Sequence, residues 1–177
     1  MHTIRRIADT RPEPWRNGGG TTRRLLPVGG GADVGLRLSV AELLRDGPFS
    51  SFPDIDRVFT VVGPPVELTI DSRAFVVPEA TPIRFSGAAA AAVRLLDGPT
   101  RAINVMTDPT RYRADVRTVR VHGPVPPCSA LVVLSGSVLV GDATIGPLDA
   151  ILAPSPATAG DAHILDIKLD AVAECLA

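Results

Sequence analysis

Apolar and polar residues trade places in short bursts along this chain. Leu36-Arg37-Leu38-Ser39-Val40 is the cleanest case, apolar at every second position, as a strand with one buried face requires. Runs rich in Val, Ile, Leu, Phe and Thr predict further strands over 59–62, 66–70, 74–77, 101–105 and 114–119, then over 130–134, 138–140, 150–152 and 164–167. A helical period is almost absent; short turns near 108–112 and in the carboxy-terminal tail are the exceptions. The 16 glycines and 17 prolines separate these runs with turn signals every few residues. Many short strands with regular turns predict an all-β fold, an antiparallel sandwich or jelly-roll barrel.

One pattern occurs twice. Thr60-Val61-Val62-Gly63, a second strand over 66–70 and a third over 74–77 have the order strand, glycine turn, strand, tight turn, strand. Val132-Val133-Leu134-Ser135-Gly136, then 137–141 and 146–152, repeat that order. The two lie roughly 70 residues apart, too far for a solenoid repeat, which suits a duplicated β domain. The expected organisation is a first half over 1–110 carrying the glycine-rich amino-terminal segment, and an abbreviated second half over 111–177. Together they are expected to form one compact unit.

Composition narrows the function classes. Hydrophobic residues at 45% and charged residues at 21% suit a globular protein and exclude a disordered one. The net charge is −1 with both signs interleaved, so no basic stripe predicts a nucleic-acid or membrane-surface partner. With one Trp and one Tyr there is no supply of stacking platforms for single strands. The amino terminus has charge but no apolar run behind it, unlike a secretory signal, and stretches such as 88–93 fall far short of the ~20 residues that cross a bilayer. The expected location is the cytoplasm, where Cys128 and Cys175 would stay reduced.

Candidate chemistry concentrates in three places. Pro14-Trp15-Arg16-Asn17-Gly18-Gly19-Gly20-Thr21-Thr22-Arg23 sets three glycines beside the sole Trp, an amide and two hydroxyls. It reads either as a binding edge for a polar ligand or as a loop whose Trp15 plugs a barrel end. It is not a phosphate-binding loop, because Thr-Thr-Arg-Arg-Leu-Leu-Pro after Gly20 leaves no room for the long helix such loops open. Arg57 stands at a strand entrance, where it would hold a substrate carboxylate or else pair with Asp54, Asp56 or Glu42. Asn104 interrupts an apolar strand, as a core hydrogen-bonding residue or as a pocket contact. His2, His122 and His163 are solitary, which predicts no metal site and no cofactor. There is no Gly-x-Ser-x-Gly elbow and no His near either cysteine in sequence, so nucleophilic catalysis is unsupported.

These residues carry a resemblance. Trp15-Arg16-Asn17-Gly18-Gly19-Gly20-Thr21-Thr22-Arg23, then Ser39-Val40-Ala41-Glu42 with Asp46-Gly47-Pro48-Phe49-Ser50-Ser51-Phe52-Pro53-Asp54-Ile55-Asp56-Arg57, then Asn104-Val105-Met106-Thr107 resemble three successive signatures of the HutD/Ves family. The last third of the chain matches in pattern only. The resemblance implies a bicupin-like barrel without conserved metal ligands. It also implies a link to histidine utilisation, by binding an intermediate such as urocanate or a formyl- or formimino-glutamate, although other members are described as stress-related. Carried over by motif, the pocket would comprise Trp15, Asn17, Gly19, Thr22, Glu42, Arg57 and Asn104. Arg24 departs from the family, where an acidic residue is usual, and this changes the charge expected at the pocket rim.

Three functions therefore compete. The first is a metal-independent small-molecule-binding or regulatory protein with a polar metabolite as its partner. The second is a metal-independent isomerase or amide or amidine hydrolase, with Glu42 as the catalytic acid or base. The third is a protein-interaction subunit with a filled barrel. Homodimerisation through an open sheet edge is a further expectation.

Overall fold

The computed structural model describes residues 3–26, 36–152 and 156–172. In chain order its strands begin with β1 (Thr3–Arg5), β2 (Pro12–Pro14), β3 (Gly20–Leu26), β4 (Leu36–Leu43) and β5 (Gly47–Pro48). Next come β6 (Asp56–Val62), β7 (Val66–Ile70), β8 (Arg73–Val77), β9 (Pro82–Ser86), β10 (Ala91–Leu95) and β11 (Thr100–Thr107). The series ends with β12 (Tyr112–Pro124), β13 (Ala130–Val140), β14 (Ala143–Ile145), β15 (Ala150–Leu152) and β16 (Ala157–Ala171). One 3-10 turn covers Ile7–Asp9. The all-β antiparallel expectation holds. The stretch 108–112 is a turn closed by amides of Arg111 and Tyr112 on the Asp108 carbonyl. The predicted turn in the carboxy-terminal tail lies outside the described residues.

Two compact units emerge. One comprises 11–113 with 170–177, the other 1–10 with 114–169. Because β1 pairs with β15, the first ten residues join the second unit, unlike a simple division at 110.

In the 11–113 unit a six-stranded sheet, β2-β3-β4-β11-β6-β9, faces a four-stranded sheet, β5-β10-β7-β8. Leu43, Phe59 and Val61 from the first and Val66, Leu68 and Val93 from the second meet in a dry core. Period-2 alternation brings this about: Ala41 and Leu43 point into the sandwich, and Val40 and Glu42 point out of its other face.

In the other unit β12, β13, β15, β16 and β1 form one sheet, with β14 folded onto β13. Leu131, Val133, Val138, Ile145, Ile151 and Ile164 form its core. Gly136 behaves differently from its predicted counterpart. Gly63, at φ 119°, ends β6 before the chain crosses to the other sheet, whereas Gly136, at φ 76°, sits inside the continuous strand β13. There the pairing with β16 shifts on both sides of it, so the expected glycine turn is a bulge. The strand predicted over 164–167 begins earlier, at Ala157. Its alanines have weak strand preference, but Ala157, Ala159 and Ala162 pack into the core.

Cys128 is partly buried against this core. Burial first, then the neighbouring Asp166 carboxylate, pushes its thiol up to about 12. A thiol shifted from 9.0 to about 12 has roughly a thousandfold less thiolate at pH 8 than an unperturbed one. In a Cys175→Ser variant, Cys128 is expected to react with a disulfide reagent only on unfolding; prompt native-state labelling would contradict this. The folded state holds this proton more tightly, so the thiol's contribution to stability falls as pH rises from about 9 toward 12.

Candidate functional site

A cavity of about 550 Å³ opens in the 11–113 unit, within the range of small-ligand sites. Its floor is one end of the inner face of the six-stranded sheet. Antiparallel register sets that floor in three transverse rows. Thr22, Ala41, Ala102 and Val61 form the first; Arg24, Ser39, Asn104 and Phe59 form the second. Arg37, Met106, Arg57 and Phe85 form the third. Toward β6 and β9, Val61, Phe59 and Phe85 belong to the core, with Arg57 set among them. Toward β3 and β4 the same face turns polar and stays open.

Arg57 is the dominant group. It is 5% exposed, and no described carboxylate pairs with it. Asp56, one candidate partner, is taken by Arg84 at 2.8 Å, and Glu42 accepts from Thr21 Oγ1 at 3.1 Å. The guanidinium lies 4.4 Å from the centroid of Phe49 and 5.3 Å from that of Phe85. Its Nε donates to Asn104 Oδ1 at 2.9 Å. Burial pushes its pKa down to about 10, so it remains a cation at neutral pH.

The polarity of the floor follows from that bond. Asn104 must turn its oxygen to Arg57, so its Nδ2 hydrogens are left as donors, with no acceptor among the described residues. Thr22 Oγ1 accepts from Trp15 Nε1 at 2.7 Å, which leaves the hydroxyl hydrogen free to donate. Donors therefore prevail, and the matching ligand atom is an acceptor.

The glycine-rich segment forms the rim. Trp15 N donates to the Gly20 carbonyl and Gly18 N to the Trp15 carbonyl, closing the hairpin between β2 and β3. Gly18 has φ 70°, which glycine tolerates. Asn17 Oδ1 accepts from Gly19 N at 3.0 Å, and the Gly19 carbonyl accepts from the amides of Leu44 and Arg45. Trp15 stands edge-on to Phe49, centroids 6.4 Å apart.

Of the residues singled out from sequence, Trp15, Asn17, Thr22, Arg57 and Asn104 line this cavity. Gly19 is buried just behind the rim and acts through its backbone. Glu42 does not reach the cavity: it is one position out of phase with Ala41 and faces away, bound to Thr21. Arg37, Ser39, Phe49 and Met106 line the cavity without having been singled out. The alternation of 36–40 held a signal for two of them, since Arg37 and Ser39 are the polar positions of an otherwise apolar strand. Among the described residues, no three His, Cys, Asp or Glu side chains converge in a metal-binding group. His2 and Cys175 lie outside those residues. No described helix is long and apolar enough to cross a membrane.

A family model described as HutD matches residues 7–170. An uncharacterized 21.2 kDa protein in the hutC 3' region of Pseudomonas putida is 38% identical over 107 residues, which cover 57% of this chain and 55% of that protein. The chain thus spans about half the length of that relative. Protein Ves of Cronobacter sakazakii is 31% identical over 143 residues, 75% of this chain and 76% of that protein. The structure of HutD from Pseudomonas fluorescens SBW25, in a formate condition, superposes with a TM-score of 0.77 at 26% identity, covering 96% of this chain and 100% of that one. A cupin barrel domain protein from Leptotrichia buccalis, 10% identical, shares the fold with a TM-score of 0.58 over 85% of this chain and 89% of that one.

Proposed function

The chain belongs to the HutD family, and from that premise we propose that it binds a small carboxylate-bearing metabolite of histidine breakdown in the cytoplasm. The histidine link has the support of the relative in the hutC region. The carboxylate is supported by one observation above all, the buried Arg57 cation that no described carboxylate neutralises. A buried charge without a counter-ion is costly, and an incoming carboxylate would relieve that cost through paired, charge-assisted hydrogen bonds. Asn104 Nδ2 and the Thr22 hydroxyl supply further donors. Under this reading the two units are the halves of a bicupin, and the 11–113 half carries the ligand.

The enzymatic alternative is weakened because Glu42, its intended acid or base, faces out of the cavity. Glu13, the carboxylate on the lining, is held by Arg24 at 2.7 Å where both are about half exposed. A filled barrel serving as an interaction subunit sits poorly with about 550 Å³ of open space.

Thermal unfolding with urocanate, N-formyl-L-glutamate and formimino-L-glutamate tests the reading. A ligand at ~100 times its dissociation constant stabilises by about 2.7 kcal/mol, a shift of roughly 5–11 °C for a chain of this size. Absence of any shift with all three at millimolar concentration would overturn the proposal.

A further inference from the structure

We propose that the ligand is a dicarboxylate and that Arg37 selects it by holding the second carboxylate. This rests on the assignment of the first carboxylate to Arg57. Among the described residues, four arginines line the cavity, Arg16, Arg24, Arg37 and Arg57, against the single carboxylate of Glu13. Glu13 is committed to Arg24 at the rim, and Arg16 is exposed on the hairpin loop. Arg37 differs from both. It is half-buried on β4, and no described residue pairs with its side chain or accepts a hydrogen bond from it. Among the described residues, the cavity therefore holds two arginines without counter-ions.

Their placement is set by register. Arg37 pairs with Met106, and Met106 pairs with Arg57, so all three share one row and one face. Strands spaced ~4.8 Å apart put the Arg37 and Arg57 Cα atoms roughly 10 Å from each other. Two guanidinium forks reaching inward from that separation suit carboxylates joined by roughly two to four carbons. Met106 lies between them and offers an apolar surface for that linker, while Asn104 and Ser39 in the adjoining row meet polar substituents. A monocarboxylate would neutralise Arg57 and leave Arg37 unpaired in a confined site, where like-charge repulsion is poorly screened. A dianion removes both excess charges at once.

The test is isothermal titration with N-formyl-L-glutamate and its side-chain amide, N-formyl-L-glutamine, which differ in one negative charge. The native protein is expected to bind the diacid at least tenfold tighter than the amide, and urocanate no tighter than the amide. Arg37→Gln is expected to bind diacid and amide equally, with Arg37→Lys recovering part of the preference. Matching circular dichroism and melting of each variant without ligand confirm folding. A native protein that binds both compounds within twofold overturns the assignment, as does Arg37→Gln retaining the full preference. In either case binding that still depends on Arg57 leaves the carboxylate site itself standing. If none of the three compounds binds the native protein, the carboxylate site fails and the Arg37 assignment falls with it.

Discussion

Arg57→Met is expected to abolish carboxylate binding while leaving the ligand-free protein at least as stable as the native chain. The two effects have one cause. The guanidinium is 5% exposed, packed on Phe49, Phe59 and Phe85, and neutralised by no described carboxylate. An unbranched methionine fills the same slot between the rings without the cost of burying a charge. Lost in exchange are the bond to Asn104 Oδ1, which borders the open cavity and can be met by water, and cation–π attraction of about 0.5–2 kcal/mol. Binding is expected to weaken at least a hundredfold, about 2.7 kcal/mol, because both hydrogen bonds of the fork disappear. In the native protein, affinity should stay level through neutrality and fall as pH rises through about 10, where Arg57 begins to lose its proton. Titration and melting of the purified variant check all three statements. A ligand-free Tm lower by more than about 5 °C would mean that the cation is a structural element rather than a poised binding group.

Gly20→Ala is expected to be the most damaging small substitution in the glycine-rich segment. A Cβ at Gly20 would lie 2.0 Å from the Glu42 carbonyl oxygen, a backbone atom of the neighbouring strand that no rotamer change can move aside. The strands would have to separate where Gly20 pairs with Leu43, at the edge of the core. About 3 kcal/mol or more is expected, or roughly 6–12 °C in Tm. Gly146→Ala is the control, since nothing lies within 4 Å of its Cβ position. Equal melting of the two variants would show that β3 and β4 can yield at that point. This prediction divides the motif by role: Gly20 permits close strand approach, Gly18 makes the turn, and Asn17 and Trp15 face the cavity.

The motif's residue types were legible in the sequence, but this division was not. Three adjacent glycines beside a tryptophan announce a tight, exposed turn because only glycine accepts such conformations cheaply. Which glycine meets the Glu42 carbonyl depends on a strand more than 20 positions away.

The strands themselves were largely set by local pattern. Alternation over 36–40 and apolar runs bounded by glycine and proline suffice for β4, β6, β7, β8 and β11, because period-2 burial is a property of a few consecutive residues. Where the pattern faded, tertiary packing decided. The amino-terminal β1 owes its place to β15, and the alanine-rich start of β16 to the core it covers. The same limit governs the site. Arg57 and Asn104 stand out in sequence as polar residues in apolar company, so their candidacy needed no partner. Glu42 entered through its motif, yet alternation sets it on the face opposite Arg37, Ser39 and Ala41, and only pairing with β3 and β11 decides which of the two faces lines the cavity. Sequence determines which residues can form strands and which are chemically unusual. Only the folded sheet decides which of them share a cavity, because that is fixed by register between segments distant in the chain.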